Sequence, residues 1–167
     1  MIKNGFAGVC WAVIASTALA VGLRGQDQKQ SADTHNIVHA RDLKWTPIMK
    51  GCDLAVVSGN PDAEGKPFVL HIRCTDGTII PAHWHPTDEH LTVLAGTFLV
   101  GMGDKFDKTK LQPMNVGDFI ITPHDMRHFA MVKGENIVLI HGLGPFRVNW
   151  VNPSDVVPPD GSSREKR

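Results

Sequence analysis

Three histidines and one glutamate in the middle of the chain have the types and spacing of metal ligands. His83 and His85 stand two residues apart on a predicted strand, so both imidazoles point to one face and can share an ion. Pro86 ends that strand, and Glu89 begins the next one, which would bring its carboxylate near the imidazoles. His128 opens a later strand and is the best placed fourth donor.

Three imidazoles and one carboxylate suit one divalent transition metal ion, for which iron, manganese, nickel, copper and zinc are all candidates. An octahedral ion with four protein donors keeps two positions open for water, dioxygen or a chelating substrate. We therefore expect a metalloenzyme of the dioxygenase, isomerase or lyase type, acting on a small oxygenated organic molecule. A non-catalytic binding or sensor module, a purely structural zinc ion and an empty site stay open as alternatives. No general base is assigned.

Four further residues are candidates for contact with a ligand residue or with the substrate. His71 and His141 lie on predicted strands, where a hydrogen-bonded core histidine is the plainer interpretation. Arg73 shares a face with His71 and would favour a carboxylate substrate, although a solvated outer face is the alternative. His124 precedes the fourth donor in a turn, where it is either solvated or lines the mouth of the pocket.

The elements that must position these residues are short strands separated by Gly and Pro, which predicts an all-β domain. Short, regularly spaced strands favour a sandwich or barrel. Ala95-Gly96 is interpreted as a two-residue hairpin turn, and residues 103–115 as one long loop. The predicted strands are 54–57, 68–74, 78–80, 81–85, 89–94, 97–102, 118–122, 128–132, 137–141 and 148–151.

The spacing of the first ligands resembles the first motif of the cupin superfamily. That motif has a glycine, five residues, His-x-His, three or four residues, a glutamate, six residues and a second glycine. The chain reads Gly77, His83-Trp84-His85, Glu89 and Gly96, which matches every spacing.

The second cupin motif is matched in part. It has a glycine, five residues, Pro-x-Gly, two residues, a histidine and a later asparagine. Gly117, Pro123 and His128 are in place, whereas Asp125 replaces the second glycine and Val132 the asparagine. Aspartate also visits left-handed turns, so the ligand position is kept.

The resemblance covers roughly residues 45–152 and implies a single-domain cupin-type double-stranded β-helix, or jelly-roll barrel, with the metal at its mouth. The chain looks similar to small single-domain bacterial cupins, including the barrel of zinc-dependent anti-sigma sensors. Cupins frequently pair through their sheets, which implies a homodimer. Members of the superfamily do many different things, so the fold alone selects no reaction.

The two ends of the chain are predicted to lie outside the barrel. Lys3, an uncharged run over residues 5–23 and Ala18-Leu19-Ala20 indicate a signal peptide over residues 1–25, with an uncleaved anchor helix as the alternative. Residues 26–44 are interpreted as a flexible linker or arm, and residues 153–167 as a disordered tail. We therefore expect a periplasmic or secreted protein without a stable membrane anchor after cleavage.

The charge balance limits the classes of binding partner that we expect, and the cysteine content bears on the cellular compartment. Lysine plus arginine balance aspartate plus glutamate at 17 each, without a basic cluster, so we expect a small-molecule ligand and no nucleic acid. Cys52 and Cys74 fall almost opposite each other if their segments form an antiparallel pair, and an oxidising compartment would let them bond. Two buried free thiols are the alternative, because the register cannot be fixed from sequence.

Overall fold

A computed structural model of the chain describes residues 35–161, so the predicted signal peptide over residues 1–25 lies outside the described residues. The described chain is all-β, as predicted, with three short 3-10 turns and no α-helix. Within it, no helix has the length and apolar character needed to cross a membrane. The strands are β1 Thr46–Met49, β2 Cys52–Gly59, β3 Pro67–Cys74, β4 Ile79–Trp84, β5 Glu89–Met102, β6 Gln112–Met114, β7 Phe119–Thr122, β8 His128–Leu143 and β9 Asn149–Trp150.

Two long strands, β5 and β8, run antiparallel through two layers of the fold. The first layer, sheet I, has the order β1, β2, β3, the second half of β8, the first half of β5, and β7. The second layer, sheet II, has the order β9, β4, the first half of β8, the second half of β5, and β6. A shared pair of strands that passes from one sheet to the other is the double-stranded β-helix predicted for this chain.

The passage between the sheets lies at Gly96 and Gly134, which have φ of +68° and +74°. The interpretation of Ala95-Gly96 as a hairpin turn is wrong, because β5 pairs with β8 in one direction on both sides of it. The glycine instead allows an irregularity in a continuous strand. A Cβ at Gly96 would lie 2.5 Å from the carbonyl oxygen of Glu135, so the two bent strands approach each other too closely for a side chain.

The core lies between the two sheets and follows the period of two along each strand. Phe68 and Leu70 of β3 are buried, and Val93 of β5 and Ile140 of β8 are buried from the neighbouring strands. Burial of each such side chain stabilises the fold by about 1.5 to 3 kcal/mol. These residues hold the strand ends that carry the candidate ligands.

Other segments differ from the sequence-based expectation. Residues 103–115, predicted to be one long loop, contain a 3-10 turn at Lys108–Lys110 and the short strand β6. The described part of the predicted disordered tail, residues 153–161, begins with a 3-10 turn at Pro153–Asp155 and buries Val156 in the hydrophobic core. Burial of the apolar Val156 side chain in the core stabilises an ordered conformation of this segment.

Cys52 and Cys74 form a disulfide between β2 and β3. The two residues are partners in the register of these strands, and their Cα atoms lie 4.2 Å apart. The bond therefore closes the end of sheet I that lies away from the histidines. Of the two interpretations that the sequence left open, the structure has the bonded pair.

Candidate metal centre

The three histidines of the predicted ligand set come together at one end of the barrel. His83 lies near the end of β4, His85 follows that strand, and His128 begins β8 directly opposite His83. All three are buried, and each offers a ring nitrogen within 4.8 Å of the others. Three such nitrogens could hold one metal ion.

Glu89 lies beside this group. It begins β5 and is buried, with Oε1 3.6 Å from Nε2 of His85 and Oε2 3.5 Å from Nε2 of His128. Its carboxylate therefore faces two of the three imidazoles. The arrangement brings all four predicted ligands into one buried cluster.

Backbone carbonyls fix the orientation of each imidazole. Nδ1 of His83 lies 2.7 Å from the oxygen of Pro81, and Nδ1 of His85 lies 2.9 Å from that of Arg147. Nδ1 of His128 lies 3.0 Å from the oxygen of Met126. A carbonyl oxygen only accepts, so each Nδ1 carries the proton and donates. When neutral, each ring therefore presents the lone pair of Nε2, which is the form that binds a metal.

One of these nitrogen atoms has no hydrogen-bond partner among the described residues. Nε2 of His85 is buried and makes no hydrogen bond. Every other buried side-chain nitrogen or oxygen in residues 35–161 has a hydrogen-bond partner. An unsatisfied buried polar atom costs about 1 to 3 kcal/mol. A metal ion would satisfy this lone pair, so the residues present fit the group that the fold implies.

The electrostatics of the metal-free site favour neutral His83 and His85 and an ionised Glu89, whereas Glu89 favours the protonated form of His128. Burial, reinforced by the neighbouring histidines, lowers the pKa of His83 to about 3, and burial also lowers the pKa of His85. Burial opposes ionisation of Glu89, but contact with His128 and the charges of the other imidazoles leave its pKa lowered. Burial likewise opposes the charged form of His128, but Glu89 outweighs it and the pKa of His128 is raised.

The loops that carry the ligands are tied to one another. Asp88, next to Glu89, accepts hydrogen bonds at Oδ1 from the backbone N of His124 at 2.8 Å and from its Nδ1 at 3.0 Å. Asp125 has a φ of +61°, and its backbone N donates to the carbonyl oxygen of His85. The left-handed position that the partial second motif required is therefore occupied by aspartate. These contacts fix the loop before His128 against the turn before Glu89.

Two aromatic rings that the sequence analysis did not single out pack against the ligands. Phe146 stacks on His85 with ring centroids 4.6 Å apart, and Trp150 lies 5.2 Å from the ring of His83. Both residues line the cavity next to the histidines. Phe146 follows an irregular segment with a cis Gly144-Pro145 bond, where no periodic pattern could have indicated its direction.

The structure places the four further candidate residues outside the lining of this cavity. His71, Arg73 and His141 lie on positions of β3 and β8 that alternate with the buried core residues, so they face away from the core. Arg73 pairs with Asp53 there, and the ring of His141 lies 5.1 Å from that of His90. His124 is exposed and bound to Asp88.

The double-stranded β-helix and its buried histidine group define a cupin. More closely, the chain belongs to the family of the ChrR cupin-like domain, whose model matches residues 33–147. A curated relative is germin-like protein subfamily 3 member 3 of Arabidopsis thaliana, 34% identical over 64 residues. That match covers 38% of this chain and only 30% of the plant protein.

Solved structures are similar in fold. The polyketide cyclase RemF of Streptomyces resistomycificus has a TM-score of 0.59 at 19% identity, over 73% of this chain and 89% of its own. KdgF of a Halomonas species has a TM-score of 0.54 at 19% identity, over 68% of this chain and 96% of its own. At such identities the likeness shows the fold alone.

Proposed function

We propose that this protein binds one divalent transition metal ion through His83, His85, Glu89 and His128 and is an enzyme for a small oxygenated organic molecule. The observation that carries this proposal is the set of three Nε2 lone pairs, each fixed by a carbonyl at Nδ1, around a buried carboxylate. When bound, the ion would supply Lewis acidity, or redox chemistry if it is iron, manganese, nickel or copper.

The protein's own residues prepare the site. The carbonyls of Pro81, Arg147 and Met126 hold the imidazoles, so little reorganisation accompanies metal binding. Phe146 stacks on the ring of His85, and the four proposed ligands are buried, which strengthens electrostatic interactions at the centre. RemF, whose fold is similar, is named a polyketide cyclase, which supports an enzymatic function for this fold.

A second candidate function is a non-catalytic binding or sensor module. Among the described residues, the titratable side chains that line the cavity are the proposed ligands themselves. A separate acid–base pair, which many enzymes need, is thus not provided by the cavity wall. This observation favours binding without turnover.

A metal and turnover screen tests these functions. The metal content of the purified protein, measured by mass spectrometry, should be one ion per chain and should be lost in His85→Ala. Iron, manganese, nickel, copper and zinc forms would then be assayed for oxygen uptake and products with oxygenated organic substrates. Turnover that His85→Ala abolishes would exclude the binding module, whereas tight binding without turnover would exclude the enzyme. Absence of metal from all forms would overturn the site.

Export to the periplasm or outside the cell, with cleavage after a signal peptide in residues 1–25, is also proposed. The Cys52–Cys74 disulfide supports an oxidising compartment. Mass spectrometry of the protein from its own host would give the first residue of the mature chain. A full-length cytoplasmic product would contradict export.

We also propose that the protein forms a homodimer. Phe119 and Ile121 are exposed on β7 at the edge of sheet I, where a second chain would cover them. Light scattering at several protein concentrations measures the mass in solution. A monomer at all of them would contradict the dimer.

A further inference from the structure

The cavity beside the candidate metal centre has two chemically different ends. Its volume is about 280 Å³, just below the range of about 300 to 1,000 Å³ typical of pockets for drug-sized ligands. One end holds the three histidines and Glu89. The wall that continues from them is apolar and includes Leu54, Ile72, Ile80, Leu91, Phe98 and Val138.

The far end of the cavity has one polar side chain and no charged one. Asn136 lies there, at the passage of β8 between the sheets, and its Nδ2 already donates to the carbonyl oxygen of Ala95 at 2.9 Å. The disulfide of Cys52 and Cys74 closes the same end. Among residues 35–161, no lysine or arginine lines the cavity, and Glu89 is its single charged side chain.

The opening of the cavity is apolar as well. Two lining residues are substantially exposed, Ile48 at 41% and Val148 at 39%. Ile48 belongs to β1, the edge strand of sheet I, and Val148 directly precedes β9, the edge strand of sheet II. A ligand that passes between these residues therefore enters the gap between the two sheets from the side of their edge strands.

We propose that this cavity takes a molecule with a single oxygen-chelating end and an apolar, uncharged body. The chelating end lies at the four proposed ligands, and the body lies between the sheets, against Leu54, Ile72 and Phe98. A charge on the body would lose its water with no counter-ion in the wall, and an unpaired hydroxyl would cost about tenfold or more in affinity. The cavity therefore disfavours sugars, sugar acids and dicarboxylates whose second carboxylate would lie in the apolar body. The inference rests on the proposed metal site and deepens it.

Three hydroxamates form a matched set of probes, because their head group chelates metals through two oxygens. Acetohydroxamate has almost no body, hexanohydroxamate has an apolar one, and adipic monohydroxamate replaces the terminal methyl group of the latter by a carboxylate. Calorimetric titration of the zinc-loaded full-length protein should give hexanohydroxamate about threefold more affinity per added methylene, or on the order of one hundredfold over acetohydroxamate. Adipic monohydroxamate should lose most of that gain.

The outcomes separate the two proposals. If acetohydroxamate binds but hexanohydroxamate binds no more tightly, or the carboxylate probe binds equally well, the apolar-body inference is overturned and the metal site stands. If the protein takes up no zinc, the metal site fails and the inference fails with it. If the protein binds one zinc ion per chain but no hydroxamate, the metal site stands and the inference of a chelated ligand is overturned.

A variant at the opening gives an independent readout. Ile48→Glu places a carboxylate at the exposed edge of the cavity and should reduce the affinity ratio of hexanohydroxamate to acetohydroxamate by about tenfold. Val56→Glu is the matched control, because Val56 is 45% exposed on neighbouring β2 and does not line the cavity. Val56→Glu should leave the ratio unchanged. Equal ratios in the two variants would contradict entry of an apolar body past Ile48.

Discussion

The Oε2 atom of Glu89 and the Nε2 atom of His128 lie 3.5 Å apart, although the two residues begin different long strands. In the pairing of β5 with β8, the residue opposite His128 is Met102, at the other end of β5. Glu89 reaches His128 because both strands pass from one sheet to the other at Gly96 and Gly134 and return to the same end of the barrel. The bend of the paired strands thus assembles the candidate metal centre.

Glu89→Gln should weaken metal binding while preserving the fold. The amide keeps the size of the side chain but removes the negative charge that faces His85 and His128. Residues that only orient ligands typically contribute 10- to 100-fold to affinity, so removal of a ligand charge should cost at least about tenfold. Competition with a fluorescent chelator measures the affinity for zinc. Glu64→Gln, at an exposed position, is the control, and equal affinities in both variants would exclude Glu89 as a ligand.

The metal-free protein should lose stability as the pH falls below about 6.5. An unfolded imidazole titrates near 6.5, whereas the pKa of His83 is about 3 in the folded protein, and that of His85 is also lowered. Between these values the unfolded chain binds more protons than the folded one. As the pH is lowered, His83 alone therefore reduces the free energy of unfolding by about 1.4 kcal/mol per pH unit. The raised pKa of His128 acts in the opposite direction above 6.5, because its contribution is lost as the pH rises.

Urea unfolding of the chelator-treated protein at pH 6.5 and pH 5 checks this dependence. The expected loss from His83 is about 2 kcal/mol over that interval. His83→Asn removes the group and should make the dependence shallower. If the pH dependence of the free energy of unfolding is unchanged in His83→Asn, protonation of His83 is not the cause of that dependence.

The first part of the ligand cluster was predictable from local geometry. Period-two alternation puts His83 and His85 on one face of a strand whatever the rest of the fold does. Glu89 was placed by its position at the start of the next strand and His128 by its residue type, and the resemblance to the cupin motifs supported both. Nothing in the local pattern brings residue 128 to residue 83. The structure confirms the all-β jelly-roll and brings these four side chains together.

The cavity wall was not predictable in the same way. A glycine with positive φ is equally consistent with a hairpin turn and with a bend in a continuous strand, so Gly96 was misinterpreted. In β3, apolar residues alternate with His71 and Arg73, so the pattern already favoured the outward face that the structure gives them. His141 follows four consecutive apolar residues, which leaves the direction of its side chain undecided. Phe146 belongs to an irregular segment whose path is set by tertiary contacts with Phe68 and His85.

Gly77 and Gly96 have similar positive φ, +75° and +68°, but should respond differently to replacement by alanine. Gly77→Ala meets nothing within 4 Å, so its cost is the left-handed conformation, about 1 to 2 kcal/mol. Gly96→Ala has the same cost and also a Cβ 2.5 Å from a backbone oxygen of β8, which should add about 1 to 3 kcal/mol. Urea unfolding of the metal-loaded proteins compares them. Equal losses would contradict the close approach of β5 and β8.

Reduction of the Cys52–Cys74 disulfide should destabilise the protein without unfolding the barrel at low temperature. The bond joins residues 22 positions apart, and a closed loop of that length contributes about 3 kcal/mol by restricting the unfolded chain. The free energy of unfolding, measured in urea with and without a phosphine reductant, should differ by about that amount. The double variant Cys52→Ala/Cys74→Ala is the control, and its free energy of unfolding should not change with the reductant.

Because the same bond closes the far end of the cavity, reduction should also weaken binding of hexanohydroxamate more than that of acetohydroxamate. Equal weakening of both probes would place the effect at the metal centre and contradict a role of the disulfide in the apolar wall.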